Sequence, residues 1–232
     1  MDAEQTLHPV NQLYVSTLYD AHTPTDLASW LRPADRRVLD VGCGAGRSAE
    51  ALNLSGKEVH GVTLSALECE AARPHMSQVH LANIENWHAP YADGFFDALF
   101  LSHVVEHLVD PRATLQRLAR ILAPTGRAYL AVPNVLYWRW RWEFLMGFFE
   151  YRDRGPLDYR HLRFFTFASF QKLVREAGFQ VVRAEVRGHF PLGGVRRVFP
   201  RFAKTIDALS TRWFAGLFGY EILVCAAKVR LP

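Results

Sequence analysis

Cysteine is scarce and poorly spaced for a structural role. The three present, Cys43, Cys69 and Cys225, are odd in number and share no C-x-x-C spacing. That argues against a disulfide framework and against zinc, and it suits a reducing cytoplasm. Long apolar runs are missing as well, since none approaches the roughly 18 residues that a membrane-spanning helix needs. The start, Met1-Asp2-Ala3-Glu4-Gln5, is acidic and without an apolar core, so no signal peptide is expected. Repeats, low-complexity tracts and Ser/Gly linkers are absent. What remains is 232 residues, 50% hydrophobic and 22% charged, enough to pack one large domain or one domain with an inserted cover.

The net charge of +4 matters less than its placement. Between Arg183 and Arg212 stand seven basic residues (Arg183, Arg187, Arg196, Arg197, Arg201, Lys204 and Arg212) against Glu185 and Asp207. Such a patch suits an anionic partner or a solvated face.

Short apolar runs alternate with helical patterns, which reads as successive βα units on a mostly parallel sheet. Arg37 to Val41 and Glu58 to Val62 form two strands flanking a helix from Arg47 to Leu54. Another helix opens near Ser65, and Val79–Ala82 and Ala98–Leu101 are further strands. Asp110 caps a helix with Pro111 at its first position and a stripe of Leu115, Leu118 and Leu122. Pro124-Thr125-Gly126 turns into a strand, Ala128 to Val132. Thr166 caps a helix over Ala168–Ala177 that Gly178 ends, and Glu221 to Ala227 is the last strand. Residues 1–35 and 190–218 do not fit the alternation and are expected to be covers, the first helical. A third cover is expected over 135–165, leaving 36–232 as the main domain.

The chemistry concentrates where the first strand meets its helix. Gly42, Gly44 and Gly46 let the backbone turn sharply and approach a ligand, with free N–H groups at the helix start. In an open α/β sheet a ligand belongs at such a strand-end crevice. The spacing is G-x-G-x-G, not the G-x-G-x-x-G of dinucleotide sites, and no Lys-Ser/Thr follows as in a P-loop.

Val38-Leu39-Asp40-Val41-Gly42-Cys43-Gly44-Ala45-Gly46 resembles motif I of class I S-adenosylmethionine-dependent methyltransferases. Asp93 to Ala98, Leu101 to Leu108, and Pro124-Thr125-Gly126 with Val132-Pro133-Asn134 resemble that family's later blocks in order. His161-Leu162-Arg163-Phe164-Phe165-Thr166 is similar to a subgroup of sugar, polysaccharide and secondary-metabolite pathways. The resemblance implies an α/β, Rossmann-like, seven-stranded and mostly parallel sheet with helices on both faces and an antiparallel last strand. It implies S-adenosylmethionine as cofactor, with Asp40, Gly42, Gly44 and Gly46 at its methionine end. Asn83 and Ile84 would meet the adenine, and Leu101 and Ser102 would lie near the sulfonium. The second strand departs from the family in ending Val62-Thr63-Leu64-Ser65, without the usual acid. Thr63 together with Glu68 is expected to meet the ribose, as in cyclopropane-fatty-acid-synthase-type relatives. Ser65-x-x-Glu68 is also a capping box, a role that can coexist.

His161, in a polar loop between Arg160 and Arg163, is the expected general base for a hydroxyl acceptor; holding its own loop is the alternative. His103, Glu106, His107 and His161 also invite a metal, because some methyltransferases bind a divalent ion with a Glu-x-x-Glu-His run. Glu-His is common without metal, so none is assigned. The resulting expectation is an O-methyltransferase acting on a small-molecule, sugar or lipid-linked acceptor in the cytoplasm. A nucleic-acid methyltransferase, disfavoured because no nucleic-acid module is visible, and a cofactor-binding scaffold without turnover are the rivals. The aromatic run Val135 to Phe149, with the basic patch, adds a peripheral contact at the inner membrane face as a further reading.

Overall fold

A computed structural model describes residues 25–54 and 56–229. Seven strands form one sheet: β1 (Arg37–Val41), β2 (Glu58–Thr63), β3 (Gln78–Leu81), β4 (Phe96–Ser102), β5 (Leu122–Pro133), β6 (Phe179–Gly188) and β7 (Gly219–Lys228). Their order is β3-β2-β1-β4-β5-β7-β6. The pairs among β1 to β5 are parallel, while β7 runs antiparallel to both β5 and β6. The expected architecture, including the reversed last strand, is present.

Alternation along the central strands divides the core in two. Leu39, Leu99, Leu101, Leu130, Val132, Ile222 and Val224 face one layer. Val38, Phe100, Tyr129, Leu223 and Cys225 face the other. A parallel sheet needs helices on both faces because both carry apolar side chains. α1 (Thr25–Ala28) and α2 (Arg47–Leu54) bring Leu27, Ala49 and Leu52 to the second layer. α3 (Ala66–Ala72) lies beside β2 and β3, with Cys69 and Ala72 buried.

α4 (Pro111–Ile121) and α6 (Phe167–Glu176) serve the first layer. Asp110 accepts a hydrogen bond from Ala113 N (3.0 Å), Pro111 opens α4, and Leu115, Leu118 and Ile121 are buried. Leu122, expected on that stripe, instead begins β5. Thr166 and Ser169 form a capping box on α6, and Phe170 and Val174 fill its buried face. Pro124-Thr125-Gly126 does not precede β5 but sits inside it as a bulge, where the partners step from Phe96–Leu122 to Ala98–Arg127.

The segments expected to act as covers contain helices. α5 (Trp138–Leu145) ends before Phe148 and Phe149, so the aromatic run is helical over only part of its length. Gly147, at φ +83°, turns the chain, and Phe149 folds back on Phe144 and Tyr151. α7 (Val195–Val198), α8 (Pro200–Trp213) and α9 (Ala215–Phe218) fill the connection from β6 to β7. Of the N-terminal cover, residues 1–24 lie outside the described residues. The remainder packs beneath the sheet through Leu27 rather than in the cleft described below.

Leu101, expected near the ligand, is fully buried in the first core layer. Leu101→Ala should cost about 2–5 kcal/mol of stability by chemical denaturation, the range for a buried leucine. A loss under about 1 kcal/mol would remove it from the core.

Candidate active site

The strand order reverses between β1 and β4, and a cleft of about 730 Å³ opens there beyond the strand ends. Gly42 and Gly44 shape its floor in left-handed conformations, φ +70° and +53°. A Cβ on Gly42 would stand 2.5 Å from Val104, whereas one on Gly44 would meet nothing nearer than Glu68 Oε1 at 3.8 Å, so Gly44 faces the open cleft. Gly46 does not line the cleft; its missing side chain admits Ala72 of α3, whose Cα would lie 3.1 Å from a Cβ. Leu101 is likewise outside the lining, while Asp40, Gly42, Gly44, Thr63, Glu68, Asn83, Ile84, Ser102 and His161 all border it.

On the β1–β3 side, the Thr63 hydroxyl donates to Glu68 Oε2 (2.7 Å) and Ser65 Oγ accepts from Glu68 N (3.3 Å). Ser65 N points to Thr63 Oγ1 (3.4 Å), so only the serine half of the expected capping box is made in its usual form. Glu68 is thereby tied to the end of β2, where the sequence lacks an acid. Asp40 is 2% exposed and accepts a hydrogen bond from Ser48. Burial pushes its carboxyl up to about 7, against the opposing pull of the Ser48 hydroxyl. Asn83 Oδ1 accepts from Glu85 N (3.0 Å), fixing the turn after β3.

The β4–β7 side is built differently. A single 3₁₀ turn, Val105–His107, follows β4. The N–H groups of Leu162 and Arg163 both donate to the Glu106 carbonyl (2.9 Å each), which brings His161 beside it. His161 Nδ1 donates to the Pro156 carbonyl (3.0 Å) and His107 Nδ1 to that of Arg160 (3.1 Å). These backbone bonds select the tautomers with unprotonated Nε2 in the neutral rings. Ligand atoms of Glu106, His107 and His161 lie within 4.8 Å of one another, and buried Glu106 Oε2 has no hydrogen-bond partner among the described residues.

His103 is not one of this trio but touches its carboxylate. It hydrogen-bonds Glu106 Oε1 (3.2 Å) and Glu221 Oε1 (2.7 Å) and has φ +54°, the only positive φ of a non-glycine among the described residues. Burial favours its neutral form, but the two carboxylates outweigh that and push it up to about 10. Burial also opposes the charge on Glu106, yet the adjacent imidazolium holds its pKa below the ordinary range. His103, one of the residues whose spacing invites a metal, is thus engaged by carboxylates.

The pattern of the methyltransferase domain matches residues 16–184. The chain belongs to the methyltransferase-domain family. It is 30% identical over 196 residues to the ubiquinone biosynthesis O-methyltransferase of Psychrobacter arcticus, covering 75% of this chain and 73% of that one. To the O-methyltransferase resE of Aspergillus sclerotiorum it is 31% identical, over 64% of this chain and 56% of the other. The S-adenosylmethionine-dependent methyltransferase of Archaeoglobus fulgidus has the same fold, with a TM-score of 0.61 at 21% identity over 84% and 87% of the two chains. As a member of the methyltransferase-domain family, the chain uses S-adenosylmethionine. The cleft suits it: Gly44 leaves the floor open, and carboxylates border the β1–β3 side.

Several residues of the cleft had no motif to announce them. Tyr137, Arg187, His189, Tyr220 and Glu221 border it from the ends of β5, β6 and β7. Apart from Arg187 in the basic patch and Tyr137 in the aromatic run, their signal was position, next to a strand terminus on the ligand side of the sheet.

Asp40 generates a pH test on the cofactor-free protein. Its folded pKa of about 7 lies above the unfolded value. The folded chain therefore keeps a proton that the unfolded chain loses between about pH 4 and 7. Stability should fall as pH rises through that window, by up to about 1.4 kcal/mol per unit, and level off above it. Denaturation of Asp40→Asn should show a flatter profile; an unchanged slope would assign the effect elsewhere.

Proposed function

We propose that the cleft methylates a hydroxyl of a small acceptor, with His161 as general base. The observation that carries this reading is the tautomer of His161: Nδ1 is committed to the Pro156 carbonyl, leaving Nε2 to take a proton. The O-methyltransferase names of the two relatives support an oxygen acceptor. Asp40 receives the cationic amine of the cofactor, Thr63 and Glu68 its ribose, and Asn83 and Ile84 its adenine edge. Ser102 borders the reacting end, while Gly46 and Leu101 act only by packing. The bound cofactor supplies an already activated methyl group. The chain's work is then alignment, which lowers such barriers by up to about 7–11 kcal/mol, and removal of the hydroxyl proton, worth roughly 10²–10⁴ in rate.

A second reading is favoured by one observation, the orphaned Glu106 Oε2 beside His107 and His161. Two imidazoles and a carboxylate suit a divalent transition metal, which would polarise the acceptor hydroxyl. The two readings separate on one pair of measurements. With His161 as base, His161→Gln lowers kcat about 10²–10⁴-fold while cofactor affinity holds, and dialysis against a chelator changes nothing. Activity lost to the chelator and restored by a divalent ion selects the metal.

We also propose that the β6–β7 connection rests on an anionic membrane surface. No described helix is long and apolar enough to cross a membrane. Yet Val198, Phe199, Phe202, Leu209, Trp213 and Phe214 are exposed on and around α8. Among the described residues Arg183, Arg187 and Arg196 have carboxylate partners, whereas Arg197, Arg201, Lys204 and Arg212 have none. Aromatic and cationic side chains together suit a headgroup boundary. The protein should co-sediment with phosphatidylglycerol vesicles at low salt and be released at high salt; failure to bind at low salt would end this reading.

A further inference from the structure

The charges of the β4–β7 half of the cleft nearly all answer one another. Glu106 and Glu221 share His103, and Glu221 also lies 3.8 Å from Arg187. Asp158 pairs with Arg160 at 2.6 Å, and Arg139 with Glu143 at 3.4 Å. Arg154 borders the same cleft, and among the described residues no carboxylate lies within 4.0 Å of its guanidinium and no hydrogen bond engages it.

Arg154 is not on a loose excursion. Arg152 N donates to Leu157 O (2.9 Å), Asp158 N to Gly155 O (3.0 Å) and Tyr159 N to Arg152 O (3.1 Å). Arg160 Nη2 closes the loop on the Asp153 carbonyl (3.0 Å), and Leu157 and Asp158 anchor it at 1% and 2% exposure. The same loop carries Pro156, whose carbonyl orients His161. Beside it Trp140 borders the cleft, its ring 4.9 Å from the Arg152 guanidinium and 5.8 Å from that of Arg139, and a Cβ on Gly155 would make ordinary contact, 3.8 Å, with its Cζ2. One short, braced loop thus orients the base and holds a cation without a carboxylate partner among the described residues, with the Trp140 indole alongside.

We propose that Arg154 is a specificity-determining residue that binds an anionic oxygen group, carboxylate or phosphate, on an acceptor whose hydroxyl lies at His161 and whose body lies along Trp140. The planar fork of a guanidinium matches either anion with two parallel hydrogen bonds. A neutral acceptor would leave that fork unused. This inference rests on the methyl-transfer reading for the identity of the ligand as acceptor, but its test needs no turnover.

Calorimetry on protein saturated with S-adenosylhomocysteine, using benzoate, phenyl phosphate and benzyl alcohol as probes, decides it. At least one anion should bind about 10- to 100-fold more tightly than benzyl alcohol, the range for a charge-assisted hydrogen bond. Arg154→Gln should erase that advantage while leaving the melting temperature and S-adenosylhomocysteine affinity unchanged, because the side chain is exposed at the rim. The stronger of the two anions identifies carboxylate or phosphate. Equal binding of all three probes overturns the proposal, and so does an advantage that survives Arg154→Gln. Anion binding in a protein that methylates nothing would refute the catalytic reading and leave the anion site standing, so the two failures are distinguishable.

Discussion

Parallel pairing of β1 with both β2 and β4 is the constraint on which the site depends. Parallel neighbours end on the same side, so the chain must leave β1, β2, β3, β4 and β5 at one rim. The reversal of strand order at β1 parts the loops on either side and leaves the cleft between them. The double-sided core holds this frame, since residues of β1, β4, β5 and β7 alternate between two buried layers. A slip of one residue would turn every such side chain onto the wrong layer.

Two buried carboxylates in the cleft are handled in opposite ways. Asp40 has a hydroxyl partner but no described cation, so burial prevails and its proton is held more tightly. Glu106 has an imidazolium against one oxygen, and the attraction outweighs burial. In the proposed reaction this contrast is useful, because the first site awaits the positive charge of a ligand while the second carries its own. The left-handed backbone of His103 belongs to the same arrangement: it turns the ring at the end of β4 toward Glu221, near the start of a strand two places away in the sheet. Non-glycine residues in that region are uncommon and cluster at functional sites.

The sheet and one half of the site were legible in the sequence, because local signals coincide with the structure there. Gly42 and Gly44 mark a turn that forms from adjacent residues, and Thr63 and Glu68 lie five residues apart across the Ser65 cap. The other half was less legible because its partners are distant in the chain. His103 meets Glu221, and Tyr137 meets His189, only through the placement of β7 between β5 and β6. Leu101 illustrates the limit of reading by motif. It sits beside Ser102 in the block, but alternation along β4 sends its side chain into the core. The aromatic run after β5 carries no signal for its own fold-back: the helix ends at Leu145, and the left-handed Gly147 turns the chain so that Phe149 meets Phe144.

The antiparallel setting of β7 has a consequence for how this enzyme can diversify. β6 leaves the sheet at Gly188 and β7 enters it at Gly219, and these two residues are paired neighbours. The whole connection between them is a closed excursion whose ends stand one strand spacing apart, about 4.8 Å. Lengthening such an excursion costs little, about 0.6 kcal/mol of closure entropy for each doubling, and it moves no strand. Insertions and deletions between residues 189 and 218 can therefore accumulate without disturbing the register beneath. Evolution gains a region at one edge of the sheet that can be exchanged while the cofactor-bearing frame is inherited intact.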